Sequence, residues 1–187
     1  MDHPGKASLR AQVRKTLKVI SRGTRTGAST EICRQIAAMP EWMTASTIGL
    51  YAAQNTEPDL SGLFNPGGKT FCFPRVSGDG LEFRHCQSLE LLQPGPWKLL
   101  EPDPAQCPVV PPQDIDLLVI PGMAFTRTGG RLGRGGGFYD RFLTGVHPRA
   151  VKVGVCFGIQ LVDAVPLEAH DHEVDWVVTE SDVVRAG

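Results

Sequence analysis

Hydrophobic residues near the start of the chain recur with a helical period. Their spacings of four, four and three residues place them on one face of a helix. This stripe consists of Leu9, Val13, Leu17 and Ile20. A row of basic residues follows the same period, at Lys6, Arg10, Arg14 and Lys18. The pattern predicts an amphipathic helix over residues 6–21.

A second helix is predicted shortly afterwards. Thr30 is a candidate for its amino-terminal cap, because a threonine hydroxyl can accept a hydrogen bond from a free amide of the first turn. Ile32, Ile36 and Ala37 would form its apolar face, and Pro40 would end it.

Farther along, hydrophobic residues come in short runs, each closed by a turn signal or a polar residue. Such runs are too short for helices and indicate buried strands. They cover residues 47–51, 70–73, 117–120, 151–157 and 176–179. Helix-compatible segments lie between several of them. The chain therefore predicts a three-layer α/β fold with a mainly parallel, Rossmann-like sheet and helices on both faces.

Two segments depart from this alternation. Residues 81–85 alternate between hydrophobic and polar after a Gly-Asp-Gly turn, which predicts a small peripheral hairpin. Residues 94–112 contain seven prolines, so we expect an ordered or semi-ordered surface connection there rather than a helix. Since the sequence shows neither a repeat nor a linker, residues 1–187 are predicted to form one domain.

Composition narrows the class of protein. The longest apolar runs fall well short of the ~18 residues of a membrane span. The start, Met1-Asp2-His3-Pro4, leads into a charged stretch rather than a secretory signal, so we expect a cytoplasmic protein without membrane partners. A net charge of -1 gives no general attraction to nucleic acid. The five cysteines are scattered, which predicts buried, inert thiols rather than disulfides or a zinc site.

The most unusual stretch holds six glycines within residues 129–137, between a predicted strand and a helix predicted to start at Phe138. Six glycines lower the free energy of unfolding by up to about 3–6 kcal/mol relative to alanines, so a flexible loop tip is a poor explanation for them. Close approach of the backbone to a phosphate is a better one, since Arg131 and Arg134 are interleaved with the glycines. Asp140 could cap the helix or hold a metal ion that bridges phosphates.

Two familiar phosphate loops do not match this stretch. A P-loop requires a lysine after its second glycine, where this sequence has Gly136. A dinucleotide fingerprint that starts at Gly133 fails because Phe138 stands at its last glycine position. The glycines therefore predict a phosphate loop of another kind.

The segment from Pro121-Gly122-Met123-Ala124-Phe125-Thr126 to Gly130-Arg131-Leu132-Gly133-Arg134-Gly135-Gly136-Gly137-Phe138-Tyr139-Asp140 resembles the signature of the 5-formyltetrahydrofolate cyclo-ligase family, also called 5,10-methenyltetrahydrofolate synthetases. The resemblance extends over nearly the whole chain. Other matching stretches are Lys6-x-x-Leu9-Arg10, Glu57-Pro58-Asp59, Phe73-Pro74-Arg75, Glu101-Pro102 and His170-Asp171-x-x-Val174-Asp175.

The resemblance implies a reaction and its partners. The family converts 5-formyltetrahydrofolate to 5,10-methenyltetrahydrofolate while ATP becomes ADP and phosphate, with Mg²⁺, through a phosphorylated formyl group. Phosphoryl transfer asks a protein mainly for positioning and charge stabilisation, which these residue types can supply. A folate, with or without a polyglutamate tail, would be the substrate, and a monomer is expected.

The resemblance also implies roles for individual residues. The positions that match ATP contacts are Lys6, Arg10, Arg131, Leu132, Gly133, Arg134, Gly135, Gly136, Gly137, Phe138 and Tyr139. The positions that match substrate contacts are Ala52, Glu57, Arg134, Gly135, Gly136, Gly137 and Phe138. Arg134 and Tyr139 would be catalytic, and Asp140 and Asp171 would hold Mg²⁺. Trp97 is a further candidate, as a cover for the pterin or aminobenzoyl ring.

Each assignment has a plainer alternative. Lys6 and Arg10 could belong to a solvated basic face, Glu57 could be a helix-start acid beside Pro58, and Asp171 could be a turn residue. Phe138 and Gly136 depart from the tyrosine and the lysine that other members carry there.

Three other functions stay open. The phenylalanine at position 138 keeps a non-catalytic folate or nucleotide binder possible, and the same ATP loop could serve a kinase or transferase acting on another small molecule. The basic row could bind RNA, although it lacks interleaved aromatic residues.

Overall fold

The computed structural model describes residues 5–187, apart from the side chain of Lys98. Residues 1–4, on which the prediction of no secretory signal partly rests, lie outside that range. The α-helices of the described chain are α1 (Lys6–Leu17), α2 (Arg22–Ala37), α3 (Pro40–Thr44) and α4 (Phe138–Leu143). Its strands are β1 (Thr47–Gly49), β2 (Thr70–Ser77), β3 (Gly80–His85), β4 (Leu92–Pro94), β5 (Leu100–Pro102), β6 (Val109–Val110), β7 (Leu117–Pro121), β8 (Ala124–Phe125), β9 (Arg131–Leu132), β10 (Val151–Val155), β11 (Trp176–Val178) and β12 (Val183–Arg185).

One eight-stranded sheet organises the chain, in the order β12-β11-β10-β7-β1-β2-β3-β6. The neighbours from β11 to β2 pair in parallel, whereas β12, β3 and β6 are antiparallel additions at the two edges. The predicted mixed α/β fold with a mainly parallel sheet is thus confirmed. The predicted hairpin at the Gly-Asp-Gly turn is confirmed as the antiparallel pair β2–β3, which forms part of the main sheet near one of its edges.

Alternate residues of β7 show how the sheet is covered. Leu117 and Val119 belong to a core cluster that includes residues of α1, α2 and α3. Leu118 and Ile120 belong to a second cluster that includes Phe142 of α4. Because successive side chains of a strand point to opposite faces, the first three helices cover one face and α4 covers part of the other.

The helix boundaries correct two predictions. The first helix ends at Leu17 rather than at residue 21, and the second begins at Arg22, eight residues before the predicted cap. Ser21 is the cap, since its hydroxyl accepts from the amide of Thr24 at 3.1 Å. Thr30 lies within α2, where its hydroxyl donates to a carbonyl of the preceding turn. The first half of α2 is polar and mostly exposed, so it lacks the apolar stripe that would have marked it.

The proline-rich segment is an ordered connection that also contains short strands. Strands β4 and β5 form a two-stranded sheet of their own, and β6 joins the edge of the main sheet. At the turn between β4 and β5, Trp97 adopts a positive φ of 54° and its side chain is exposed. Glu101 on β5 is buried, and its carboxylate accepts from the amide of Val76 on β2 at 3.2 Å. This contact fixes the β4–β5 turn beside the main sheet.

The cysteines fit the prediction of buried thiols in four of five positions, with Cys33 half-buried. Burial raises the pKa of Cys72 to about 12 and that of Cys33 to about 11, so these thiols stay protonated at neutral pH. Within residues 5–187, no helix is both long and apolar enough to cross a bilayer.

Candidate active site

A cavity of ≈ 590 Å³ lies beyond the carboxyl ends of β1 and β7. Ligands of open α/β sheets bind at this edge. Every residue to which the sequence assigned a role lines it. These residues are Lys6, Arg10, Ala52, Glu57, Arg131, Leu132, Gly133, Arg134, Gly135, Gly136, Gly137, Phe138, Tyr139, Asp140 and Asp171. Trp97 lines it as well.

The glycines serve two different turns, which corrects the prediction of one loop between a strand and a helix. The hairpin β8–β9 intervenes, and Gly129 and Gly130 belong to its turn. Gly129 has a φ of +91°, and a Cβ there would lie 2.5 Å from the carbonyl oxygen of Val174. Residues 133–137 then lead from β9 into α4, and Gly135 and Gly137 take positive φ values of +110° and +66°. We call residues 133–137 the glycine loop.

Arg131 and Asp140 form a buried ion pair beneath this loop. Their Nη2 and Oδ1 atoms are 2.5 Å apart, and the side chains are 3% and 16% exposed. Asp140 does not cap α4, contrary to one prediction, because Gly137 occupies the cap position and the carboxylate is turned towards Arg131. The Arg131 guanidinium also lies over the Tyr139 ring, 5.8 Å from its centroid. This pair holds the two ends of the loop together.

Lys6 and Asp171 meet at the cavity although they are 165 positions apart in sequence. Lys6 Nζ lies 2.6 Å from Asp171 Oδ2 and 3.2 Å from Glu168 Oε1. Burial alone would lower the pKa of Lys6, but its hydrogen bonds to Asp171 and Glu168 outweigh this and raise it. Burial alone would raise the pKa of Asp171, yet the bond from Lys6 lowers it overall. Both groups are therefore charged at neutral pH.

Glu57 and Arg134 form a third ion pair at the cavity. Oε1 of Glu57 accepts from Nη2 and Nε of Arg134 at 2.7 and 2.9 Å, and Oε2 accepts from the amide of Gln54 at 2.9 Å. Glu57 is not at the start of a helix, so its position beside Pro58 is not explained by helix capping. The pair connects the wall after β1 with the glycine loop.

Arg10 supports the glycine loop from α1. Its Nε donates to the carbonyl of Gly133 at 2.8 Å, and a Cβ at Gly135 would lie 3.5 Å from its guanidinium carbon. Lys6 and Arg10 are thus engaged with the cavity rather than part of a merely solvated face. Arg14, one turn farther along α1, also lines the cavity.

The two tyrosines at the site differ in their hydrogen bonds. The buried hydroxyl of Tyr51 donates to the carbonyl of Pro58 at 3.0 Å. The hydroxyl of Tyr139 is also buried, but it has no partner among the described residues. Burial raises the pKa of Tyr139 well above its usual range, so the phenol is neutral. A neutral phenol without a protein partner is available to a bound ligand.

A magnesium site formed by protein ligands alone is not evident in residues 5–187, which contain no cluster of three His, Cys, Asp or Glu side chains. Mg²⁺ needs no such cluster when phosphates and water complete its octahedron around one or two carboxylates. Asp140 and Asp171 both line the cavity, and each faces a cationic side chain. This donor set fits an ion that arrives with a phosphate ligand.

Several lining residues were not predicted from the sequence, namely Tyr51, Gln54, Val76, Leu81, Leu99 and Leu100. Gln54 acts through its backbone amide, and the hydrophobic ones look like ordinary core positions in the sequence. Arg14 had a signal, because it continues the row of Lys6 and Arg10.

Comparisons with known proteins identify one family. Residues 2–180 match the model of the 5-formyltetrahydrofolate cyclo-ligase family. A probable 5-formyltetrahydrofolate cyclo-ligase of Schizosaccharomyces pombe is 25% identical over 96% of this chain and 97% of its own length. The Escherichia coli 5-formyltetrahydrofolate cyclo-ligase is 34% identical over 69% of this chain and 72% of its own.

A solved structure supports the same grouping. The Aquifex aeolicus 5,10-methenyltetrahydrofolate synthetase superposes with a TM-score of 0.86 and 32% identity, covering 96% of this chain and 92% of that one. The family match spans nearly all of the sequence and includes every residue that lines the cavity. The chain belongs to the 5-formyltetrahydrofolate cyclo-ligase family.

Proposed function

We infer that the chain is a 5-formyltetrahydrofolate cyclo-ligase, which converts 5-formyltetrahydrofolate to 5,10-methenyltetrahydrofolate while ATP becomes ADP and phosphate. The observation that carries this inference is the convergence of three groups in one cavity: the cations of α1, the glycine loop and Glu57. Membership of the family supports the reaction and the use of ATP.

The triphosphate of ATP would lie between α1 and the glycine loop. Arg10 and Lys6 approach from α1, and Phe138 and Tyr139 at the start of α4, whose backbone amides have no intrahelical partner, line the same cavity. The loop can come close to phosphate oxygens because its glycines carry no side chains and two of them take positive φ values. Cationic side chains and free amides together are suited to a polyanion.

The folate would lie against the wall after β1. The Glu57 carboxylate can accept two hydrogen bonds from the amino-pyrimidinone edge of a pterin, and Ala52 offers an apolar contact. Phe138 and Trp97, with ring centroids 5.7 Å apart, would cover the ring system from the glycine loop and the β4–β5 turn. Phe138 can supply this stacking surface without the hydroxyl that other members carry.

The proposed reaction has two steps. The formyl oxygen attacks the γ-phosphorus of ATP and ADP leaves, which gives an iminium phosphate. The neighbouring folate nitrogen then attacks the formyl carbon, which closes the ring, and releases its proton; the C–O bond breaks and phosphate departs with the former formyl oxygen. Arg134 reaches from the glycine loop to Glu57 at the wall after β1, so its guanidinium could stabilise charge on the transferred group. The neutral Tyr139 phenol can donate a hydrogen bond to an oxygen in the same space.

Asp140 and Asp171 would hold Mg²⁺ together with the phosphates of ATP. The ion, when bound, neutralises charge on the β- and γ-phosphates. To reach it, each carboxylate must share or release its cation, Arg131 or Lys6. Lys6 would then be free to turn towards a phosphate oxygen. In the unliganded protein, the ion pair with Asp171 would hold Lys6 at the cavity.

The direct test mixes purified protein with 5-formyltetrahydrofolate, ATP and Mg²⁺, and follows the methenyl absorbance and the release of ADP. We expect both products in equal amounts. Arg134→Ala should abolish turnover, whereas Arg149→Ala, which removes an exposed arginine from the segment between α4 and β10, should not. Ligand binding without ADP or methenyl product would instead favour a non-catalytic binder. The expected monomeric state and cytoplasmic location stay predictions.

A further inference from the structure

The ring of Phe138 contacts two side chains from different parts of the chain. Trp97 of the β4–β5 turn packs against it, with ring centroids 5.7 Å apart. The guanidinium of Arg141 lies over the ring, with its carbon 5.2 Å from the Phe138 centroid. Phe138 lines the cavity, whereas Arg141 is not among the described residues that do so. Any influence of Arg141 on a ligand must therefore pass through its neighbours.

Arg141 also ties two backbone segments together. Its Nε donates to the carbonyl of Asp79, in the turn between β2 and β3, at 2.9 Å. Its Nη2 donates to the carbonyl of Gly136, in the glycine loop, at 2.9 Å. The β2–β3 turn belongs to the eight-stranded sheet, so the guanidinium anchors the loop to a rigid element. A planar, forked donor is suited to reaching both carbonyls while it stacks on a ring.

The last two glycines of the loop make room for this arrangement. A Cβ at position 136 would lie 2.8 Å from the Phe138 ring. A Cβ at position 137 would lie 2.7 Å from Arg141 Nη1, and the φ of +66° there disfavours any other residue. The absence of side chains at both positions is thus matched to Phe138 and Arg141, in addition to any approach of a phosphate.

We propose that Arg141 is a positioning residue, which holds Phe138 and the glycine loop in the arrangement that binds ATP and folate. The proposal rests on the proposed function, because the binding role of Phe138 does. Arg141 acts by fixing the carbonyl of Gly136 and one face of the Phe138 ring, while Trp97 contacts the ring from the β4–β5 turn. Without the Arg141 side chain, the glycine loop would exchange among several conformations, and ligand binding would have to select one of them.

The first test follows the loop itself by hydrogen–deuterium exchange, without substrates. We expect peptides over residues 137–143, where the amide of residue 141 donates to the carbonyl of Gly137 in the glycine loop at 3.0 Å, to exchange about tenfold faster in Arg141→Ala than in the unmodified protein, since a lost hydrogen bond from a charged donor is worth at least about a factor of ten. Arg141→Lys keeps the charge but not the fork, and should fall between the two. Arg149→Ala, the matched loss of an arginine, should leave exchange unchanged. Unchanged exchange in Arg141→Ala would overturn the proposal.

The second test is kinetic and separates positioning from a general loss of stability. Arg141→Ala should raise KM for ATP and 5-formyltetrahydrofolate about tenfold and change kcat by less than about threefold, with partial rescue by lysine. A fall in kcat with unchanged KM values would contradict the proposal. If the unmodified protein does not turn over, the proposed function fails, and the exchange experiment still decides whether Arg141 orders the loop.

Discussion

Replacing Glu57 with glutamine gives the sharpest test of where the folate binds. In the structure both carboxylate oxygens accept hydrogen bonds, one from Arg134 and one from the amide of Gln54. Glutamine offers one acceptor and one NH₂ donor at these two positions. Whichever way the amide turns, its NH₂ group faces another donor. The substitution is close in shape to glutamate, so the cavity should keep its volume while it loses a charge and one acceptor.

The size of the effect follows from the kind of hydrogen bond that is lost. Bonds to a charged group are worth about 1.5–3 kcal/mol, and about 1.4 kcal/mol corresponds to a factor of ten. If the pterin edge binds this carboxylate, KM for 5-formyltetrahydrofolate should rise about 10- to 150-fold. KM for ATP should change by less than about threefold, because Arg10 and Lys6 remain. Arg134 is 40% exposed, so loss of its bond to Glu57 contributes at the lower end of this range.

The assay measures methenyl absorbance at varied folate and fixed ATP, and then at varied ATP and fixed folate. Glu31→Gln is the matched control, since it breaks a Glu–Arg pair on the exposed face of α2 and should leave both KM values unchanged. An unchanged KM for folate in Glu57→Gln would refute the proposed pterin contact. A kinase or transferase with another substrate would show no folate-dependent turnover at all.

Three further predictions concern stability and chemistry at single positions. Gly129→Ala should lower the free energy of unfolding by at least about 3 kcal/mol, because its Cβ would collide with the backbone at Val174. Gly78 has a positive φ but open space around it, so Gly78→Ala should lower the same quantity by only about 1–2 kcal/mol. Urea titrations measure both. Tyr139→Phe should leave stability unchanged or slightly raised and reduce kcat, because the Tyr139 hydroxyl has no protein partner to lose. Tyr51→Phe should lower the free energy of unfolding by about 1 kcal/mol or more, because the Pro58 carbonyl loses its donor. Thermal melts measure the stability of both variants, and turnover measures kcat. The pKa of Asp171 is lowered by folding, so its contribution to stability is present above its ordinary value of 3.8 and is lost as pH falls through the lower folded value. Asp171→Asn should therefore flatten the acid side of the stability–pH curve, whereas Asp182→Asn, at an exposed ion pair, should not; equal curves for Asp171→Asn and the unmodified protein would contradict this.

The sequence predicted those parts of the fold that local patterns determine. The stripe at Leu9, Val13 and Leu17 located α1, because these three residues are buried on one helix face. The start of α2 was missed because its first turns are polar and depend on the cap at Ser21. The β8–β9 hairpin was missed because strands of two residues carry no period.

The site was predictable where it coincides with a continuous motif. Residues 131–140 are contiguous, so their joint presence in the cavity follows from chain connectivity. The pairing of Lys6 with Asp171 and of Glu57 with Arg134 could not be read from any pattern, since 165 and 77 residues separate the partners. Only the family resemblance indicated that these distant acids and bases meet.

The contact between Lys6 and Asp171 has a consequence for how the site comes into being. One wall of the cavity comes from α1, near the start of the chain. Another comes from the loop between β10 and β11, which contains Asp171. Neither half of the polypeptide can therefore assemble the cavity alone. During synthesis, nucleotide affinity should stay absent until the segment around residue 171 has emerged. Occupancy by ATP would then protect only molecules whose two distant segments have already joined, and retention on immobilised nucleotide would select completed chains over truncated ones.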